Sequence, residues 1–417
     1  MPALGVLVAE PLFLLGDGVV VSYLGTSEVA GLGAAAAILA TVVNVCIFLA
    51  YGTTAAVARH MGATRPGDAV AAAADGVALA TAIGLVLAIG TWLAGPSLVD
   101  LFDIPAAARA PAIDYLQVSA VGVPFMLVVL AATGVLRGLH DMRSPLLITA
   151  TGAAANLALN VLLVFPAGLG IVGSALGTVL TQAVMAVIYL ALLRRRATTL
   201  GGSLRPTLAG VKASLGTNLA LLARTAALRV YLLFAIWVAG RLGVTALAAH
   251  TIANAVWTLL ALALDALAIA AQALVAGALG ADDPARARAV ARRVTRLGVL
   301  YGVVVGLGLL AASPLLVPLI APDPGVRDAI WPVVLLVAAL QPLAGPVFAL
   351  DGVLIGASDS VYLAWAAIAC TAVFIVAALP AAVGSAGLTA LWWAVGAMML
   401  ARLVPLGARV RSTAWQH

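Results

Sequence analysis

The sequence predicts an all-α polytopic membrane protein, with twelve transmembrane helices in two six-helix lobes that repeat in parallel. Three observations point there. The 417 residues are 64% hydrophobic and only 9% charged, whereas a soluble domain carries about a quarter charged residues. Apolar runs of about 20 residues recur along the whole chain, each long enough to cross a bilayer core as a helix. The chain also falls on itself at an offset of 218 residues. Strand-type alternation is absent, which argues against a β-barrel.

The apolar runs place spans near 3–23, 31–57, 74–95, 112–135, 146–165, 170–193, 216–239, 246–275, 293–313, 328–350, 360–382 and 386–405. The first run lacks a basic start and an A-x-A site, so it does not read as a cleaved signal peptide. It opens on Met1-Pro2 with no polar lead-in, which suggests a truncated start; residues 2–23 are still long enough to span. Long runs such as 246–275 are expected to tilt or to project beyond the membrane.

Basic residues orient the spans. Loops after even-numbered spans, with their borders, hold 17 of the 22 Lys and Arg. Loops after odd-numbered spans hold three, Arg109, Arg241 and Arg327, and Arg224 and Arg229 fall inside span 7. The positive-inside rule then puts both termini in the cytoplasm, and the cytoplasmic (inner) membrane is the expected location. The net charge of +6 is accounted for by topology and lipid-headgroup contact, without nucleic acid.

At the 218-residue offset Leu24-Gly25 meets Leu242-Gly243, Gly62-Ala63 meets Gly280-Ala281, and Pro66 meets Pro284. Further on, Pro124 meets Pro342, Gly134 meets Gly352, Gly138 meets Gly356 and Asp141 meets Asp359. Gly, Pro and Asp matches in one register indicate duplication. Six spans per half is an even number, so both halves enter the membrane in the same direction. The expected organisation is an N-terminal lobe over 1–193, a cytoplasmic linker over 194–215, a C-terminal lobe over 216–405 and a cytoplasmic tail over 406–417. Two such bundles form a natural frame for alternating access.

Chemistry is sought where the repeat breaks. Asp17 projects onto Ala235, Asn156 onto Phe374 and Asn160 onto Ala378. Asp17 lies mid-span, where a charged carboxylate costs about 2.5–3.5 kcal/mol on insertion scales. Desolvation works against the charged form, so such a group can change protonation between conformations and act as a proton carrier or cation ligand. Gly16 and Gly18 flank it, and Pro11 should kink the first span. Glu10 shares its helix face about two turns away. Asn156 and Asn160, and likewise Thr178 and Gln182, stand at i, i+4 on one face, and Tyr115 lies early in span 4. These neutral hydrogen-bonding groups suit the surroundings of one carboxylate, or plain helix–helix contact. In the second half Arg224, Arg229, Asp265 and Asp351 can neutralise one another. Asn254, Trp257, Gln272 and Gln341 are candidate cavity residues, and Trp392-Trp393 read as interfacial anchors.

Other chemistry finds little support. Cys46 and Cys370 lie in apolar runs, the four histidines have no ligand spacing, and Lys212 is the single lysine. There is no metal motif and no Ser/His/Asp set, so the chain does not read as an enzyme.

The stretches "EPLFLLGDGVVVSYLGTSEVAGLGAA" and "LGVTALAAHTIANAVWTLLALALDALAIAAQALVAGALGADD", with the paired "LRGLHDMRSP" and "LIGASDS" loops, resemble the multidrug and toxic compound extrusion (MATE) family, in the form of its DinF-like branch. The resemblance implies a twelve-helix antiporter that exports cationic, amphipathic compounds against inward proton or sodium flow. It places the coupling site in the N-terminal lobe, on Asp17, Tyr115, Asn156 and Thr178. An acid is typical where this chain has Asn160. One carboxylate fewer weakens a sodium site, since hard cations prefer several charged oxygens, so protons are expected to be the coupling ion rather than sodium. No cofactor is expected. The expected partners are organic cations or amphipathic drugs and the lipid bilayer, with a monomeric transporter. The alternative is a lipid-linked oligosaccharide flippase of the same wider superfamily, for which Arg224 and Arg229 would be the candidate pyrophosphate contacts.

Overall fold

The computed structural model describes residues 17–101, 104–384 and 386–416. Among these residues every regular element is a helix. Only the end of span 1 is described, helical over 17–22. Glu10, Pro11 and Gly16 lie outside the described residues. Gly18 lies within, and a methyl group there would meet nothing within 4 Å.

The remaining spans are clear, and two are broken. Span 2 consists of Thr26–Val45 and Phe48–Gly62, interrupted at Cys46-Ile47. Span 4 consists of Ala106–Ala120 and Val123–Gly138, bent by 50°. Pro124 sits at the start of its second segment, where its missing N–H would be unsatisfied anyway. Spans 3, 5 and 6 are Pro66–Asp100, Arg143–Val164 and Gly170–Thr199. Spans 7 to 12 are Leu208–Arg241, Val244–Gly280, Pro284–Ile320, Pro324–Gly356, Ser360–Ala382 and Leu388–Arg411. Span 8 has 37 residues, about 55 Å at a rise of ~1.5 Å, well beyond the ~30 Å hydrocarbon core.

The duplication is written into the backbone. Helices begin in register at Thr26 and Val244, Pro66 and Pro284, and Ala106 and Pro324; they end in register at Gly62 and Gly280 and at Gly138 and Gly356. Left-handed residues also pair: Gly25 with Gly243, Thr64 (φ 56°) with Asp282 (φ 54°), and His140 (φ 60°) with Ser358 (φ 62°). Four of these six carry a side chain that disfavours this conformation, so the shared strain marks a shared turn. Helix contacts repeat as well. A methyl on Gly84 would lie 2.6 Å from Pro124 Cα, and one on Gly302 would lie 2.9 Å from Pro342 Cα.

The chain divides into two compact units, Met1–Asn218 and Leu219–His417. The boundary falls within the seventh helix. The non-helical connection between spans 6 and 7 is shorter than the expected linker, covering 200–207, because both helices run on past their apolar portions. In the first unit, Leu32, Ala35, Ile38, Tyr115, Leu116 and Ala175 share one buried cluster. Val57, Ala73, Ala132, Met185 and Tyr189 share another.

Trp392 corrects the interfacial reading. It is buried in the second unit, with Trp257 edge-on at 6.1 Å and His250 at 5.8 Å. Trp393 faces outward. Adjacent helical residues point about 100° apart, so one tryptophan of the pair completes the core and the other does not.

Candidate functional site

Spans 5 and 6 approach closely because span 6 presents glycines to span 5. A methyl on Gly173 would lie 2.7 Å from the Leu163 carbonyl, and one on Gly177 would lie 3.2 Å from the Asn160 amide nitrogen. This approach sets the Asn156–Asn160 face against Thr178. Asn156 Nδ2 donates to Thr178 Oγ1 at 2.9 Å, and Asn160 Nδ2 donates to Asn156 Oδ1 at 3.3 Å.

Asp17 closes the ring. Its Oδ2 accepts from the Tyr115 hydroxyl at 3.0 Å and from the Thr178 hydroxyl at 3.3 Å, and its Oδ1 accepts from Asn160 Nδ2. Four spans thus converge on one carboxylate. Asp17, Tyr115, Asn156 and Asn160 are buried, and Thr178 is half-buried. All three side chains bonded to Asp17 are neutral donors. Asn160 Oδ1 is buried without a hydrogen-bond partner among the described residues. The Asn160 amide presents its Nδ2 to Asp17 and its Oδ1 toward Gly177. The set gathers several oxygens around a single carboxylate. Among the described residues no three His, Cys, Asp or Glu gather as a metal site.

Gln182 lies one turn beyond Thr178, half-buried and outside this ring. Its i, i+4 spacing gives a shared face but not a shared depth.

The second unit has a different cluster. Asp351 accepts from Arg224 at 2.7 Å and from Arg402. Asp351 and Arg402 are buried, and the Arg224 side chain is 11% exposed. Along the sequence Arg402 counts among the basic residues that border the loops after even-numbered spans; the fold turns it inward to an ion pair with Asp351. The signal was a lone arginine inside the apolar end of span 12. Arg229 and Asp265 are half-buried, as is Asn254. Trp257 and Gln272 are buried, and the Gln272 backbone lies against Gly356. Trp257 is taken up by the tryptophan cluster rather than exposed to a cavity.

Both units tie the loop after their fourth span to the end of their sixth. Asp141 pairs with Arg196 at 2.9 Å, and Asp359 pairs with Arg409 at 2.6 Å. Partial burial works to raise the Asp141 pKa, but the Ser144 N–H, the Ser144 hydroxyl and Arg196 outweigh it and hold the carboxyl below its usual value.

The MatE family model matches residues 2–162 and 221–379. Protein DETOXIFICATION 44, chloroplastic, from Arabidopsis thaliana is 29% identical over 97% of this chain and 79% of that protein. Protein DETOXIFICATION 43 from Arabidopsis thaliana is 31% identical over 79% of this chain and 62% of its own length. The crystal structure of a MATE protein in the bent conformation superposes with a TM-score of 0.91, covering 100% of this chain and 94% of that one at 21% identity. The last likeness is one of fold.

Proposed function

The chain belongs to the MatE family of membrane transporters, and on that premise we propose that it is a secondary antiporter exporting cationic or amphipathic small molecules in exchange for protons. It works by alternating access in the cytoplasmic membrane, as a monomer with both termini inside. The observation that carries the proposal is the buried Asp17 held only by neutral donors.

A carboxylate in this setting gains or loses a proton without breaking an ion pair. Protonation turns Asp17 from acceptor into donor. At least one of Tyr115, Thr178 and Asn160 must then release it, and an oxygen among these partners accepts a hydrogen bond from the protonated carboxyl, which keeps its proton. Because these partners sit on spans 4, 5 and 6, re-pairing shifts span 1 against all three. That movement links proton binding to release of the substrate.

Asp17 supplies a buried carboxylate in the first unit to which the cationic group of a substrate is drawn. Gly18, next to Asp17, leaves span 1 room to move, since a methyl there would meet nothing within 4 Å.

Reconstituted protein in proteoliposomes should accumulate or expel a cationic dye under a pH gradient, and Asp17→Asn should abolish this at equal protein load. Undiminished gradient-driven transport by Asp17→Asn would remove the mechanism. Sodium-gradient transport without a response to pH would replace the proton by sodium.

A further inference from the structure

The two units treat the start of their third helix differently. In the first unit, the start of span 3 is covered by the chain itself. Thr207 N–H donates to Asp75 Oδ1 at 2.8 Å, and a methyl on Gly202 would lie 2.6 Å from Val70 Cβ. Ala74, Asp75 and Leu79 are buried beneath that cover.

In the second unit, span 9 is the repeat of span 3, and the corresponding positions are Arg292, Arg293 and Leu297. All three are exposed, as are Arg286, Arg288 and Arg296. The opposite side of span 9 is fully used. Ala287, Ala291, Val294, Gly298, Gly302 and Gly306 are buried, with the glycines against span 10. The arginines are thus excluded from the packed face and collected on the other. None of the five forms an ion pair among the described residues. Where the first unit offers a carboxylate to an N–H donor, the second presents exposed guanidinium donors.

The face has a polar end and an apolar end. Arg292, Arg293 and Arg296 line an open groove with Ala289, Leu297 and Leu300. At ~100° per residue, positions 289, 292, 293, 296 and 300 stay on one side of the helix. Beyond Leu300 the exposed residues are wholly apolar: Val304, Leu307 and Leu310. Guanidinium groups therefore stand one turn from an apolar surface. A guanidinium accepts phosphate oxygens bidentately, and arginines at a membrane surface attract anionic lipid.

We infer that this face of span 9 is a binding site for one anionic phospholipid, with its phosphate on Arg292, Arg293 and Arg296 and its chains along Leu297, Leu300 and Val304. Charge complementarity and the apolar stripe commit the site to a lipid, since free phosphate would use only the upper half.

The experiment is thermal stabilisation of the purified full-length protein in detergent by added dioleoylphosphatidylglycerol. Wild type should be stabilised by this lipid and not by dioleoylphosphatidylcholine. Arg292→Gln/Arg293→Gln/Arg296→Gln should weaken the apparent affinity roughly 100-fold, taking each arginine at its usual surface contribution. Should the triple variant fail to accumulate, Arg293→Gln alone should weaken it about fivefold. Arg194→Gln/Arg195→Gln, an exposed pair in the first unit, should leave it unchanged. Unchanged affinity in the span 9 variants would overturn the site. So would an equal loss in the control pair, or full stabilisation by inorganic phosphate alone.

Discussion

The Tyr115 hydroxyl lies 3.0 Å from Asp17 Oδ2 and is one of three neutral donors around that carboxylate. Tyr115 belongs to the first segment of span 4, just before the 50° bend. A hydrogen bond to a charged group contributes about 1.5–3 kcal/mol. Tyr115→Phe should therefore slow gradient-driven transport roughly 10- to 100-fold without abolishing it, while keeping the protein folded. Proteoliposome flux beside Asp17→Asn measures this. A rate equal to wild type would show that the bond has no part in coupling.

Asn160→Asp should change the ion. It places a second carboxylate next to Asp17, on the position whose amide now bonds both Asp17 and Asn156. Two charged oxygens suit a hard cation better than one. The variant is expected to respond to a sodium gradient where wild type does not. Flux at fixed pH with and without sodium decides the matter, and identical sodium responses in the two proteins would contradict it.

The paired close approaches should be matched in energy. Gly84→Ala pushes a methyl onto Pro124, and Gly302→Ala pushes one onto Pro342. In each case the neighbour is backbone, which cannot rotate away. Each substitution should destabilise by about 1–3 kcal/mol, seen as a lower melting temperature. Gly90→Ala, where a methyl meets nothing within 4 Å, serves as control. A melting temperature unchanged in both glycine variants would mean that the helices can separate freely.

The Asp141–Arg196 pair should show its own pH dependence. The Asp141 carboxyl is held below its usual value when folded. Its contribution is then complete above the ordinary carboxylate value of ~3.9 and is lost as pH falls through the depressed folded value. Arg196 is about half exposed, so screening limits the contribution to roughly 1 kcal/mol or less. Asp141→Asn should melt below wild type at neutral pH, and the two curves should converge in strong acid. A gap that persists unchanged there would point to a cause other than charge.

Much of the fold is legible in hydropathy and in the 218-residue offset. The offset also singles out Asp17, Asn156 and Asn160, because each loses its polar partner on projection. Tyr115 and Thr178 stand in the sequence as neutral hydrogen-bonding residues that the family resemblance assigns to the same site, and the fold joins all five in one hydrogen-bonded set. Other features were illegible for definite reasons. Arg402 sits where an arginine has the same hydropathy whether it reaches a headgroup or turns inward to Asp351. Trp392 and Trp393 differ only in the direction they face. The break at Cys46-Ile47 lies in a run whose residues are all compatible with a continuous helix.

By itself the sequence determined that the chain crosses a membrane many times, that it does so twice over in one pattern, and that the first half keeps an acid, Asp17, at a position where the second half has Ala235. Those are properties of residues taken along the chain, where transfer free energy adds position by position. Only the tertiary structure decided which side chains share a neighbour: the ring around Asp17, the two guanidiniums on Asp351, and the arginines gathered on one face of span 9. These depend on helix rotation and on approaches of a few ångströms between residues far apart in sequence.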